Sequence, residues 1–163
     1  MGKNVLSILL TVVMLFSVIP TAVLADAETC DLAISTLDEF KAFAESVNGG
    51  NAYKGKLVQL KANLDLGGEN SPWTAIGTSG NSFKGTFDGT NHVISGLYIA
   101  SGSYIGLFGY VSGGTVKNVT VRGAVKGSSN TAGVVGYLAA GRVENCGNNA
   151  TVNGGSAVGG VVG

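Results

Sequence analysis

The chain holds one histidine, two cysteines, two prolines and one tryptophan in 163 residues, and charged residues make up only 12% of it. Each scarcity closes a class of function. His92 alone cannot supply the histidine pair of a zinc peptidase, and no His-Glu-x-x-His stretch occurs. Two cysteines, Cys30 and Cys146, are too few for a disulfide framework. Ten basic residues balance ten acidic ones, which removes the electrostatic case for nucleic acid or anionic lipid. Helical periodicity is confined to one short stretch, which excludes a helical repeat architecture. No cofactor, metal site or catalytic residue is expected.

What the chain does have is glycine, 27 of them, and a fixed period. Ile105-Gly106-Leu107-Phe108-Gly109-Tyr110 returns as Ala132-Gly133-Val134-Val135-Gly136-Tyr137, and again as Gly159-Gly160-Val161-Val162-Gly163. The step is 27 residues, and it also relates Gly114 to Gly141, Val116 to Val143, Asn118 to Asn145 and Val125 to Val152. Such a unit cannot bury its apolar face alone and must stack on its neighbours. The segment Thr115 to Gly123 is β-branched and alternating, so three short strands per period, stacked in parallel about 4.8 Å apart, predict a β-helix. Leu107, Val134 and Val161 then form one interior column, and Val125 and Val152 another. Lys117 points outward. Glycines mark bends where φ is positive. Asn118 and Asn145 suit a left-handed bend and can hydrogen-bond along the stack as an amide ladder.

At the start, Lys3 precedes an uncharged apolar run from Val5 to Ile19, then Pro20 and Thr21-Ala22-Val23-Leu24-Ala25. This is the pattern of a secretory signal peptide, with cleavage after Ala25, or alternatively after Ala27. An uncleaved membrane anchor is the rival, and the run is short for one. Loss of Lys3 leaves nine basic and ten acidic residues, a net charge of about −1. Cys30 lacks the apolar and small residues of a lipoprotein site before it. Cys146 stands where the preceding repeat has Val119, a position for a small buried residue.

Thr36 and Glu39 form a capping box, and Leu37, Phe40, Phe43, Ala44 and Val47 follow at helical spacing until Asn48-Gly49-Gly50. The expected role of this helix is to cover the open core of the first coil. Between it and the repeat, Lys56 to Leu60, Leu64-Asp65-Leu66, Trp73 to Gly77 and Phe83 to Gly89 read as strands and turns whose aromatics seal that end.

The order of the capping helix, Val47-Asn48-Gly49-Gly50, Tyr53-Lys54-Gly55-Lys56, Asp65-Leu66, Trp73-Thr74-Ala75-Ile76-Gly77, Phe83-Lys84-Gly85-Thr86-Phe87-Asp88-Gly89 and Gly106-Leu107-Phe108-Gly109 resembles bacterial surface proteins with the GLUG motif. These include large cell-surface proteins and appendages of some immunoglobulin A peptidases. The central pair departs from the motif in the later repeats, where Val134-Val135 and Val161-Val162 replace Leu107-Phe108. The resemblance implies a right-handed parallel β-helix used for adhesion or display. The chain thus divides into a signal peptide (1–25), a segment with the capping helix (26–50), irregular first β-coils (51–105) and GLUG-type repeats (106–163).

The expected function is a non-enzymatic secreted or cell-surface scaffold whose partner is a host or matrix protein or a glycan, with no membrane span after signal cleavage. The alternative is a carbohydrate-active β-helix enzyme, a lyase or hydrolase, for which Asp65, Glu69 and Asp88 are the candidate carboxylates. Asp88-Gly89 reads more simply as a turn, Asp65 as exposed alternation in a strand and His92 as a turn or surface residue. Gly154 to Gly160 lacks the aspartate of calcium-binding β-rolls. The triplets Asn118-Val119-Thr120 and Asn149-Ala150-Thr151 match the glycosylation pattern and are assigned no function. The third repeat stops at Gly163 with its apolar column uncovered, which predicts a fragment of a longer surface protein with further domains. The rival is a complete small protein that dimerises end to end.

Overall fold

The computed structural model describes residues 29–163, so the expected signal peptide and its cleavage positions lie outside the described residues. Chain order runs β1 (Leu32–Ile34), α1 (Leu37–Asn48), β2 (Leu57–Leu60), β3 (Leu64–Asp65), a 3-10 turn (Gly68–Asn70), β4 (Thr86–Ile99), β5 (Ser103–Ile105) and β6 (Phe108–Lys126). It continues through β7 (Ser129–Ala132), β8 (Val135–Glu144), β9 (Gly147–Asn148), β10 (Thr151–Asn153) and β11 (Ser156–Gly159). Among the described residues the fold is all-β around one α-helix. Every ladder is parallel: β1-β2-β4-β6-β10 with β3 on β4 and β8 and β9 on β6 form one sheet, and β5-β7-β11 another.

The registers carry the period of the sequence into space. Phe108 pairs with Val135, Val116 with Val143, and Val125 with Val152, each across the 27-residue step. Earlier pairings are less regular, with Thr86 opposite Thr115 but His92 opposite Val119 and Leu97 opposite Gly123, because two irregularities interrupt β4. Leu107 and Val134 are fully buried, and Val161 is half-buried against the same cluster. The expected column is there, and it opens toward its last member.

The helix forms as its sequence dictates. Thr36 Oγ1 accepts from the Glu39 amide at 3.3 Å, while the Glu39 carboxylate accepts from the amides of Ser35 and Thr36 at 2.7 and 3.0 Å. These bonds satisfy donors that the first turn leaves free and hold the Glu39 carboxyl below its ordinary pKa. Phe40, Phe43, Ala44 and Val47 are buried on one face. Phe40 stacks on Trp73 at 5.1 Å, and Phe43 meets Phe83 edge-on at 5.8 Å and Phe87 at 6.0 Å. Trp73 to Gly77 is not a full strand; only Ile76 bridges to Phe108. Gln59 is also buried within β2, where alternation alone would expose it, and it accepts from Lys61 Nζ at 2.6 Å.

One expectation needs correction. The motif glycines are not left-handed bends: among the repeated pairs Gly106, Gly109, Gly133 and Gly136, none has positive φ. Close approach selects them, since a Cβ on Gly109 would stand 2.6 Å from the Gly77 carbonyl and 2.7 Å from that of Tyr104. Lys117 alternates with buried Val116, as expected of an outward position; it is half-buried and lies 3.4 Å from the Asp88 carboxylate.

Candidate functional site

At one corner the stack presents three tyrosine rings. Tyr110 and Tyr137 hold like positions of successive repeats, in register between β6 and β8, so their rings lie 4.8 Å apart. Strand stacking alone accounts for that pair. Tyr104 comes from β5 and adds a third ring, 5.9 Å from Tyr110 and edge-on to Tyr137 at 5.5 Å. It is 43% exposed, while the other two are half-buried.

Tyr104 occupies an unfavourable place. Its φ is 57°, and the residues that follow it in the β5-β7-β11 stack, Asn130 and Ala157, have φ of 50° and 48°. The bend therefore demands the left-handed region in every repeat. Asparagine visits that region readily, whereas most other L-residues lose roughly 1–2 kcal/mol there. Tyr53 shares the strain with φ of 53°, but its ring packs edge-on against Phe43 and its hydroxyl donates to Ser46 Oγ at 3.2 Å. Packing explains Tyr53. Among the described residues, the hydroxyls of Tyr104, Tyr110 and Tyr137 have no such partner.

Beside Tyr104 runs a shallow groove of about 270 Å³, lined by Thr74, Thr78, Ser79 and Ser103 together with Ala75, Gly77 and Ile105. The four hydroxyl residues are exposed, and no charged side chain lines the groove. Thr78 Oγ1 accepts from the Asn81 amide at 3.0 Å, and Ser103 Oγ accepts from Ser129 Oγ at 3.1 Å. Both keep hydrogen-bonding capacity toward solvent. Asn48 fixes the wall from behind, donating to the Ala75 carbonyl at 3.2 Å and accepting from the Gly77 amide at 2.7 Å.

The asparagine corner lies elsewhere on the stack. Asn145 Nδ2 donates to Asn118 Oδ1 at 3.3 Å, and Asn118 Nδ2 donates to Asp88 Oδ1 at 2.9 Å, so the ladder exists and an aspartate ends it. Asn118 and Asn145 have φ of 54° and 50°, and Asn91, one step earlier, has 63°. Asp88 is buried, which opposes its charge, but donors from Asn118, the Thr90 amide and Lys117 outweigh burial and hold its carboxyl below the usual range. That carboxylate is committed to the fold. Asp65 and Glu69 are exposed, and Asp65 Oδ1 accepts from the Gly67 amide at 3.0 Å. Asp65 pairs along the stack with Ser95 and Asp88 with Lys117, at different stations of β4, so they do not share one register position.

His92 sits half-buried in β4 with Nδ1 3.3 Å from Asn63 Oδ1. Cys30 and Cys146 are both free, and burial pushes the Cys146 thiol up, away from the nucleophilic thiolate. Among the described residues, no group of three or more His, Cys, Asp or Glu side chains is arranged to hold a metal, and no helix is long and apolar enough to cross a membrane. Two other hollows are explained by the frame around them. One of about 440 Å³ lies between α1 and residues 71–74, and an open one beside Lys56 and Lys117 has its cations paired to Asp31 and Asp88.

Comparison with protein-family models, with curated proteins and with solved structures finds no match for this chain. The tyrosine corner was only half visible in the sequence. Tyr110 and Tyr137 fall on the 27-residue step, but Tyr104 lies off the repeated motif and its left-handed backbone has no signature in the residue type.

Proposed function

We propose that the chain is an exported, non-enzymatic surface protein, folded as a right-handed parallel β-helix with α1 as its cap and used for adhesion or display in the manner of GLUG-motif proteins. The observation that carries the reading is the stacking of like residues one period apart: Phe108 on Val135, Tyr110 on Tyr137, Asn118 on Asn145. A frame built this way repeats its surface from coil to coil. It suits extended, multivalent contact better than a single reaction centre. The commitment of Asp88 to Asn118, Thr90 and Lys117 weakens the carbohydrate-active alternative, because its most buried candidate carboxylate is occupied.

The test is a binding and turnover screen of the full chain against matrix proteins and glycans. Retention without chemical change of the ligand is the expected result. Release of shortened or unsaturated oligosaccharides would move the protein to the enzyme class.

A further inference from the structure

We propose that Tyr104, with Tyr110 and Tyr137 beside it and the hydroxyl-lined groove at its foot, is a binding site for a neutral oligosaccharide. The inference deepens the adhesion reading and rests on it. A sugar ring offers two kinds of surface: an axial C–H face that packs on an aromatic ring, and a rim of hydroxyls that both donate and accept. This corner supplies partners for both. Tyr104 brings an exposed ring, and Thr74, Thr78, Ser79 and Ser103 bring exposed hydroxyls within the same groove.

The lack of charge selects among ligands. An acidic polysaccharide or a phosphorylated partner would require Lys or Arg in the lining, and there is none. A purely apolar partner would desolvate the Thr74 and Ser79 hydroxyls and the remaining hydrogen-bonding capacity of Thr78 and Ser103 without replacing the lost water contacts. A neutral glycan satisfies both conditions. Backbone strain adds a separate observation, since the same bend is filled by Asn130 one repeat later and by Ala157 after that. The fold does not need tyrosine there. A large aromatic side chain held in a left-handed conformation packs on Tyr110 and Tyr137 and still keeps part of its ring in solvent, open to a ligand.

The substitution that separates binding from folding is Tyr104→Asn, because asparagine is the residue of the next repeat and relieves the strained backbone. The full chain and this variant would be titrated by NMR with cellotetraose, chitotetraose and N-acetyllactosamine, with polygalacturonate as the acidic comparison. At least one neutral oligosaccharide should bind and shift tyrosine ring signals. Tyr104→Asn should weaken that binding about tenfold or more without lowering the melting temperature. Thr74→Val with Ser79→Ala, both at exposed positions, should weaken it by a smaller factor while leaving the ring in place.

Failure to bind any neutral oligosaccharide, or binding that Tyr104→Asn leaves unchanged, overturns the site. If matrix proteins or polygalacturonate are bound in that case, the adhesion reading survives without it. Conversion of any oligosaccharide to product would overturn the adhesion reading itself.

Discussion

Within residues 29–163, the two ends of the stack follow the same pairing rule and differ in how they are covered. At the end near α1, Phe40, Phe43, Trp73, Phe83 and Phe87 are all buried, and ring contacts of 5.1 to 6.1 Å tie the helix to Trp73, Phe83 and Phe87. At the end formed by β10 and β11, Val152 and Val161 are half-buried while Val158 is 45% and Val162 37% exposed. Aromatic residues give way to valine, alanine and glycine along the same direction. Parallel pairing extends a sheet without closing its core; closure needs an element of another kind. Here one amphipathic helix does it.

The largest effect should therefore come from loosening the closed end. Phe40→Ala removes a fully buried ring that stacks on Trp73 and touches Phe43 and Phe87. It should cost about 3–5 kcal/mol, whereas Val162→Ala at the other end should stay within about 0.5 kcal/mol. Urea denaturation of the two variants measures the contrast. Equal losses would mean that the helix is not what secures the core.

Between the ends, the asparagine ladder offers an electrostatic test. The Asp88 carboxyl is held below its ordinary pKa of 3.8 by hydrogen bonds and Lys117, against the cost of burial. A group depressed in this way stabilises the fold above its unfolded pKa, and the contribution is lost as pH falls through the lower folded value. Asp88→Asn should cost about 1–2 kcal/mol at pH 7, and its deficit relative to the parent should shrink as pH drops below about 4. Asp31 and Glu39 titrate in the same direction, so the informative quantity is the difference between parent and variant. The Asp88 partner of Lys117 matters here too: Lys117→Asp sets a carboxylate against Asp88 and should be worse than the same change at exposed Lys126.

These residues also show how far the sequence could be read. Periodicity made the repeat, the parallel stack, the helix with its capping box and the Asn118–Asn145 ladder legible, because each depends on residue type at a fixed spacing. It could not show which glycines were chosen for positive φ and which for close backbone approach, since both demands select the same residue. The partner of Lys117 was hidden for a related reason. Asp88 lies in the irregular part of β4, where the register slips before His92, so no constant step connects the two. The tyrosine corner fell between these cases, with two rings on the period and the strained third ring off it.

A smaller effect, of opposite sign, should come from Thr131. This residue is fully buried between Ile105 and Val158 in the β5-β7-β11 ladder, and its hydroxyl has no hydrogen-bond partner among the described residues. Thr131→Val removes a polar atom from an apolar column at nearly constant volume. Stability should rise by about 1 kcal/mol, read as a higher urea midpoint. A loss would show that the hydroxyl is satisfied in solution and that the column is better closed than its geometry indicates.

The smallest change in stability, and the sharpest contrast between the ends, should come from charging the open one. β10 pairs only with β6, and β11 only with β7, among the described residues, so each offers a free row of backbone donors and acceptors beside exposed valines. Such an edge is a template for another strand, and inward or flanking lysines are the usual means of blunting it. Val158→Lys together with Val162→Lys should change the unfolding free energy by no more than about 0.5 kcal/mol, since neither side chain is buried now. Self-association should fall, measured as the weight-average mass by static light scattering over a concentration series. The same charge introduced at Phe40 would have no solvated position to occupy and should prevent folding. If the double lysine variant unfolds, the valines at β11 are part of the core and the two ends differ less than their exposures imply; if it folds and associates as strongly as the parent, contact between chains lies elsewhere on the surface.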